Sequence, residues 1–189
     1  MPSKPSILVA TSAAVAPETI HVCPLSAVDQ MIARTGARHL VTLINNQLMI
    51  ETPPGIAPHR HLRVALNDIA GPQPGLVHPN EQHVASLIGF AMAWDHNAPI
   101  LVHCWAGISR STAGSFIVLC TLNPDASETH IAQALRTASP TATPNRLMIQ
   151  LADDALMRRG RMVEAIERIG RGASALEAEP FSLPAKFGA

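Results

Sequence analysis

Short apolar runs along this chain alternate with longer segments in which apolar residues return at helical spacing. The runs HLVTLI at 39–44 and PILVH at 99–103 have the length and apolar content of buried strands. A weaker run at 47–51 ends at consecutive prolines and a glycine, which stop a strand. The predicted strands are 6–10, 20–23, 39–44, 47–51, 62–66 and 99–103.

Start and stop residues frame the predicted helices. Ser26 with Asp29 predicts the start of the first helix, and Gly36 predicts its end. Thr143 followed by Pro144 has the pattern of an N-cap and a first helical residue. The predicted helices are 27–34, 79–95, 111–122, from Ser127 to before Pro140, from Thr143-Pro144 to about Arg158, and 161–169.

Strands that alternate with helices predict an α/β fold, with a central, mostly parallel sheet flanked by helices. A length of 189 residues is typical of a single domain with a substantial core. We expect this domain to occupy residues 1–170. Residues 171–189 are rich in Ala, Gly and Pro, and this composition predicts a loose C-terminal tail.

Composition argues against several classes of partner. The hydrophobic content of 47% and charged content of 15% are typical of a compact soluble protein. The formal net charge is +0, so no global field attracts nucleic acid or anionic membrane. The chain has no Tyr and only 4 Phe and 2 Trp, a poor set for stacking on bases. We therefore expect neither a nucleic acid nor a membrane partner. The oligomeric state stays open.

The N-terminus and the cysteines bear on the compartment. Lys4 followed by an apolar stretch imitates a short secretory signal, but Thr11, Ser12 and Pro17 fit that pattern poorly, and a first strand is the favoured interpretation. The three cysteines are odd in number and lack the spacing of a disulfide framework or a zinc site. A cytoplasmic location is predicted.

The stretch HCWAGISRS at 103–111 carries the strongest chemical signal. It places Cys104 and Arg110 at the two ends of a loop of small residues, between a predicted strand and a predicted helix. Such a loop directs backbone N–H groups at one point, and the dipole of the following helix attracts an anion there. Arg110 can hold two phosphate oxygens at once, and the same positive field favours the thiolate of Cys104. These residues predict a phosphate site with a nucleophile at its base.

This stretch resembles the His-Cys-x5-Arg signature of the cysteine-dependent protein tyrosine phosphatases, and its ending Ser-Arg-Ser resembles the dual-specificity branch. The resemblance covers about residues 38–157. It implies that Cys104 is the nucleophile, that His103 braces the loop, and that Ser111 eases departure of the thiolate in the second step. It also implies a supporting role for Asn145, which could equally make only local hydrogen bonds at a helix start. The expected phosphate-binding residues are Trp105, Ala106, Gly107, Ile108, Ser109 and Arg110.

The family also requires an acid that protonates the leaving group, and Asp68 is the predicted one. Asp68 lies upstream of Cys104 at about the family's interval, directly before the Gly/Pro-rich loop GPQPG at 71–75. Such a loop could carry the carboxyl group in and out of the site. Asp95 competes with it, but Asp95 ends the helix that precedes the 99–103 strand and should point elsewhere. Simple turn chemistry is the alternative explanation for a loop aspartate that follows asparagine.

The predicted function is a protein phosphatase that hydrolyses phosphotyrosine, and also phosphoserine or phosphothreonine, through a cysteinyl-phosphate intermediate. The partner is then a phosphorylated protein or another phosphomonoester substrate. The mechanism needs no metal or cofactor. A metal site is also not expected, because the chain's nine histidines lack carboxylate or thiol companions at zinc spacing. Because the chain contains no Tyr, no tyrosine side chain can deepen the cleft and restrict it to phosphotyrosine. A phosphatase for a lipid or nucleotide phosphomonoester, a non-catalytic phosphate-binding module and a rhodanese-type sulfur transferase are the alternatives.

Overall fold

A computed structural model describes residues 18–188 of the chain. Its centre is a five-stranded sheet with the order β3-β2-β4-β1-β5. The four strands β1 to β4 run parallel, and β5 pairs with β1 in the antiparallel direction. The prediction of a mostly parallel α/β sheet is confirmed. The strands are β1 Thr19–Pro24, β2 His39–Ile44, β3 His61–Ala65, β4 Ile100–Cys104 and β5 Phe181–Pro184.

Helices cover both faces of this sheet. One side carries α1 with a small apolar cluster, and the other side carries the remaining helices with the main core. Single turns of 3-10 helix at Leu25–Ala27, Asn46–Leu48 and Pro58–Arg60 join the elements. The helices are α1 Val28–Thr35, α2 Glu81–Met92, α3 Arg110–Leu122, α4 Glu128–Ala138, α5 Arg146–Ala155 and α6 Arg161–Ile169.

The helix α3 is buried along almost its whole length, as its apolar sequence predicts. It lies close to the sheet because Gly114 has no side chain. A Cβ at Gly114 would stand 2.5 Å from Leu43 Cδ1 and 3.3 Å from Val102 Cγ1, on β2 and β4. This close packing fixes the N-terminus of α3 relative to the carboxyl end of β4.

Three local predictions at element ends were wrong. Residues 47–51 form no strand, because the Asn45 side chain accepts a hydrogen bond from Leu48 N and holds a 3-10 turn instead. Ser26 does not cap α1, since its hydroxyl donates to Glu177 Oε2 at 2.8 Å. The cap of the helix predicted from Thr143 is Asn145, whose side chain accepts from Met148 N.

The C-terminal segment is part of the domain rather than a loose tail. Residues 181–184 form β5. Along this strand, buried side chains (Phe181 and Leu183) alternate with exposed ones. Asn123, at the C-terminal end of α3, donates to Ala185 O and accepts from Phe187 N. The predicted tail thus supplies the edge strand of the sheet.

The predicted strand at 6–10 and the signal-like stretch around it lie outside the described residues. Within 18–188, no helix is long and apolar enough to cross a membrane. In the same range, no group of three His, Cys, Asp or Glu side chains is arranged to hold a metal ion.

Candidate active site

The loop between β4 and α3 lies at the carboxyl end of the parallel sheet, where open α/β folds bind ligands. Cys104 is the last residue of β4 and stands beside Pro24 of β1. The loop then packs against this neighbouring strand end. Gly107 has φ +73°, and a Cβ there would stand 2.8 Å from Pro24 N and 3.0 Å from Cys23 C. Only glycine fits this position, because both the positive φ and the close approach exclude a side chain.

Cys104 differs from the other two cysteines in its surroundings. Its Sγ lies 3.1 Å from Ser111 Oγ, within hydrogen-bonding distance for sulfur, and it lines a pocket. Burial raises the pKa of the Cys23 thiol to about 12 and raises the pKa of the Cys120 thiol as well. Both of those residues are therefore held as inert thiols. The contact with Ser111 is the one that the resemblance implied.

Arg110 opens α3 and places its guanidinium at the same pocket. The residue is 93% buried, with an exposure of 7%, and its Nη1 donates to Leu66 O at 3.0 Å. Its buried Nε has no hydrogen-bond partner among residues 18–188 and lies 3.9 Å from Asp68 Oδ2. A buried cation with an unused donor, at a helix N-terminus, suits an anionic ligand.

Asp68 lies at this pocket too, on the segment that follows β3. Its Oδ1 accepts hydrogen bonds from Ser109 Oγ at 2.7 Å and from Asn145 Nδ2 at 2.8 Å. The loop after it is closed by a pair of bonds between Asn67 and Val77, one in each direction. These contacts hold the carboxylate beside the 104–110 loop, rather than away from it on the Gly/Pro-rich segment.

The competing aspartate is far from this arrangement. Asp95 follows α2 and binds Arg60 Nη2 at 2.7 Å. Its second oxygen lies 3.8 Å from His39 Nε2, at the start of β2. The site lies at the carboxyl ends of the strands, whereas Asp95 lies near their amino ends.

Asn145 makes both kinds of contact that the sequence left open, a local cap at a helix start and a contact with the candidate site. Its side-chain oxygen caps α5, while its Nδ2 donates to Asp68 and, at 3.3 Å, to Ile69 O. Its backbone N–H donates to Ser109 O at 3.4 Å. One residue therefore ties α5 to both the segment that carries Asp68 and the 104–110 loop.

His103 begins a buried hydrogen-bonded chain that the sequence did not predict. Its Nδ1 lies 3.4 Å from Cys104 O, and its Nε2 lies 2.7 Å from Thr42 Oγ1. Thr42 Oγ1 also lies 2.8 Å from His61 Nε2, and His61 Nδ1 lies 2.9 Å from Thr52 Oγ1. Burial lowers the pKa of both histidines to about 4, so each ring is neutral at neutral pH.

The direction of this chain follows from its end groups. The carbonyl of Cys104 can only accept, so His103 Nδ1 carries the proton and its Nε2 must accept from the Thr42 hydroxyl. The Thr42 oxygen then accepts from His61 Nε2–H, and His61 Nδ1 accepts from Thr52. Every buried member is satisfied in one arrangement of protons. A threonine inside the apolar run 39–44 was the signal in the sequence for this chain.

The pocket over Cys104 has a volume of about 350 Å³. Most of its lining was predicted, namely Asp68 and residues of the 104–110 loop. Two lining residues were not predicted, Ala175 and Leu176, because both fall in the segment expected to be a tail. The apolar composition of that segment gives no signal for a position at the site.

The fold is shared with several solved structures. DUSP15 superposes with a TM-score of 0.56 at 18% identity, covering 83% of this chain and 93% of its own. PTPMT1 in complex with PI(5)P gives 0.57 at 14% identity, covering 76% and 95%. The PTP-2 phosphatase of Cydia pomonella gives 0.53 at 16% identity, covering 71% and 84%. No family model and no curated protein matches the sequence.

Proposed function

We propose that this chain is a cysteine-dependent phosphatase that hydrolyses phosphate monoesters, with phosphotyrosine in proteins as the leading substrate. One observation carries the proposal: Cys104, Arg110 and Asp68 line a single pocket at the N-terminus of α3. A nucleophile, an anion-binding cation and a carboxyl group are the three parts that this hydrolysis needs. Neighbours of the same fold, which are phosphatases by name, support the assignment.

In the first step, the Cys104 thiolate attacks phosphorus in line with the leaving oxygen. The S–P bond forms as the P–O bond breaks, and the protonated Asp68 carboxyl gives its proton to the leaving oxygen. Arg110 and the amides of the 105–110 loop hold the three remaining oxygens, over which the charge of the transition state is spread. The products are the free alcohol or phenol and a cysteinyl phosphate.

In the second step, water attacks the phosphorus of the cysteinyl phosphate. The Asp68 carboxylate takes a proton from this water, and the S–P bond breaks to release phosphate. The Ser111 hydroxyl, 3.1 Å from Cys104 Sγ, donates to the sulfur as negative charge returns to it. The thiolate and the protonated acid are thereby restored for the next turnover.

The substrate assignment rests on the lining of the pocket. Between Cys104 and Arg110 the loop carries no lysine, so it offers no extra charge for a polyphosphorylated headgroup. PTPMT1, whose structure holds PI(5)P, shares the fold. A lipid or nucleotide monoester is therefore the second candidate, and we favour phosphotyrosine because the pocket is lined by uncharged loop side chains such as Trp105 and Ile108.

Hydrolysis of p-nitrophenyl phosphate tests the reaction. We expect turnover that vanadate inhibits and that Cys104→Ser abolishes, with Cys120→Ser as the control for loss of a buried thiol. Turnover that survives in Cys104→Ser would overturn the mechanism. Phosphopeptide binding without phosphate release would identify a binding module instead, and thiocyanate formation from thiosulfate would identify a sulfur transferase. Comparison of a phosphotyrosine peptide with PI(5)P vesicles separates the two substrate classes.

A further inference from the structure

Residues 172–178 form a strap, which lies between α6 and β5 and runs along the edge of the candidate site. Backbone bonds hold it at both ends. Ala173 N donates to Pro140 O at 2.9 Å, and Ala178 N donates to Ala106 O of the phosphate loop at 2.8 Å. Between them, Glu177 accepts from Ser26 Oγ at 2.8 Å. The strap is therefore anchored to the phosphate loop itself.

The start of the strap is fixed by a close contact that requires glycine. A Cβ at Gly172 would stand 2.5 Å from both the carbonyl carbon and the oxygen of Thr141. Gly172 N also donates to Thr143 Oγ1 at 3.1 Å. These contacts hold the strap against the 140–143 segment, which in turn bonds to the phosphate loop through Thr143 N and Ile108 O at 2.9 Å.

Anchored in this way, the strap presents an apolar side chain at the mouth of the pocket. Ala175 and Leu176 line the pocket together with Trp105. Leu176 is 89% exposed and Trp105 is 49% exposed, although both are large apolar residues. Fixed and exposed apolar groups beside a polar site are typical of ligand contacts.

The charges at the pocket indicate which leaving group fits there. Among the described residues that line it, Arg110 is the single cation, and it lies at the base with the phosphate loop. The mouth of the pocket is lined by Trp105, Leu176 and Ala175, which are uncharged. An uncharged aromatic ring attached to the phosphate would cover this apolar surface, whereas a headgroup with further phosphates would find no cation for them.

We propose that Leu176 is a specificity-determining residue, which packs against the aromatic ring of an aryl phosphate held over Cys104. The inference rests on the proposed function and deepens it, since it adds the strap to the substrate site and names the aryl ester as the preferred class. Because the contact is made to the leaving group, it changes discrimination between substrates and leaves the phosphate seat itself unaltered.

The test compares Leu176→Ala with Met92→Ala, a control that removes another exposed apolar side chain, at the C-terminal end of α2. Each variant is assayed with p-nitrophenyl phosphate and with acetyl phosphate, which has an activated leaving group but no ring. We expect Leu176→Ala to lower kcat/KM about tenfold for the aryl ester. For acetyl phosphate, and for vanadate inhibition, we expect Leu176→Ala and Met92→Ala to match the unmodified protein.

A second variant tests the anchoring of the strap. Gly172→Ala should displace the strap from Thr141 and reproduce the selective loss of aryl hydrolysis. If Leu176→Ala hydrolyses both substrates as the unmodified protein does, or loses both equally, the inference about the strap is wrong and the phosphatase assignment stands. If the unmodified protein hydrolyses neither substrate, the proposed function itself fails.

Discussion

Replacing Thr42 by valine removes one hydroxyl and keeps the shape of the side chain. That hydroxyl is the central member of the buried chain, bonded to His103 Nε2 at 2.7 Å and to His61 Nε2 at 2.8 Å. Thr42 and His103 are fully buried and His61 is 8% exposed, so water cannot replace the lost partner. The variant therefore leaves one acceptor and one donor unsatisfied in the core.

The cost follows from these two groups. Each buried polar atom left without its partner costs about 1–3 kcal/mol, so Thr42→Val should lower the free energy of unfolding by about 2–6 kcal/mol. For a domain of this length, such a loss lowers Tm by about 4–24 °C. The control is Thr42→Ser, which keeps the hydroxyl and removes a methyl group at a cost of about 1 kcal/mol.

Urea unfolding, followed by circular dichroism above pH 6.5, measures both variants under conditions in which the histidines are neutral in the folded state. We expect the serine variant to stay close to the unmodified protein and the valine variant to unfold at clearly lower urea. Equal midpoints for serine and valine would refute the reasoning, because they would show that the hydroxyl satisfies no buried partner.

Three further predictions concern the site and the histidines. Asp68→Asn should lower kcat about 10²–10⁴-fold, with the smaller loss for substrates whose leaving group needs no proton, as a kcat series of aryl phosphates will show. Gly107→Ala should destabilise the fold by about 1–3 kcal/mol in urea unfolding and abolish turnover, since the new methyl meets Pro24 N at 2.8 Å. Stability should fall as pH is lowered from 6.5 toward 4, because burial lowers the folded-state pKa of three histidines to about 4 while the unfolded chain takes up protons near 6.5. The three histidines are His21, His61 and His103. Urea midpoints measured across that pH range report the effect.

Each of these has a control and a contradicting result. For Gly107→Ala the control is Gly75→Ala, which has nearly the same φ of +74° but open space around its new methyl. Equal effects of the two substitutions would show that the approach to Pro24 is unimportant. A uniform loss across leaving groups in Asp68→Asn would argue against proton donation, and a flat stability profile below pH 6.5 would show that the histidines are not neutral in the folded state.

The sequence was most informative where function depends on neighbouring residues. The strand β4, the loop and the helix α3 are contiguous, so the positions of Cys104 and Arg110 at one pocket could be predicted from local pattern alone. The placement of Asp68 could be predicted only as a loop position. It is held there by Ser109 and by Asn145, a residue distant in sequence that lies at the start of α5.

The errors have two physical origins, pairing between distant segments and local capping by a side chain. The four residues of β5 have too little periodicity to predict a strand, and they form one because β1 supplies the hydrogen-bonding edge. The run 47–51 has strand-like residues, but a local side-chain cap at Asn45 competes successfully with sheet pairing. Neither outcome can be read from the residues of the segment alone.

The pairing of β1 with β5 has a consequence for the order of folding. These strands lie at opposite ends of the described chain, so their contact closes one of its longest loops and carries a high entropic cost. The β4–α3 unit needs only adjacent residues and can form early. We therefore expect the pairing of β5 with β1 to form after the β4–α3 unit.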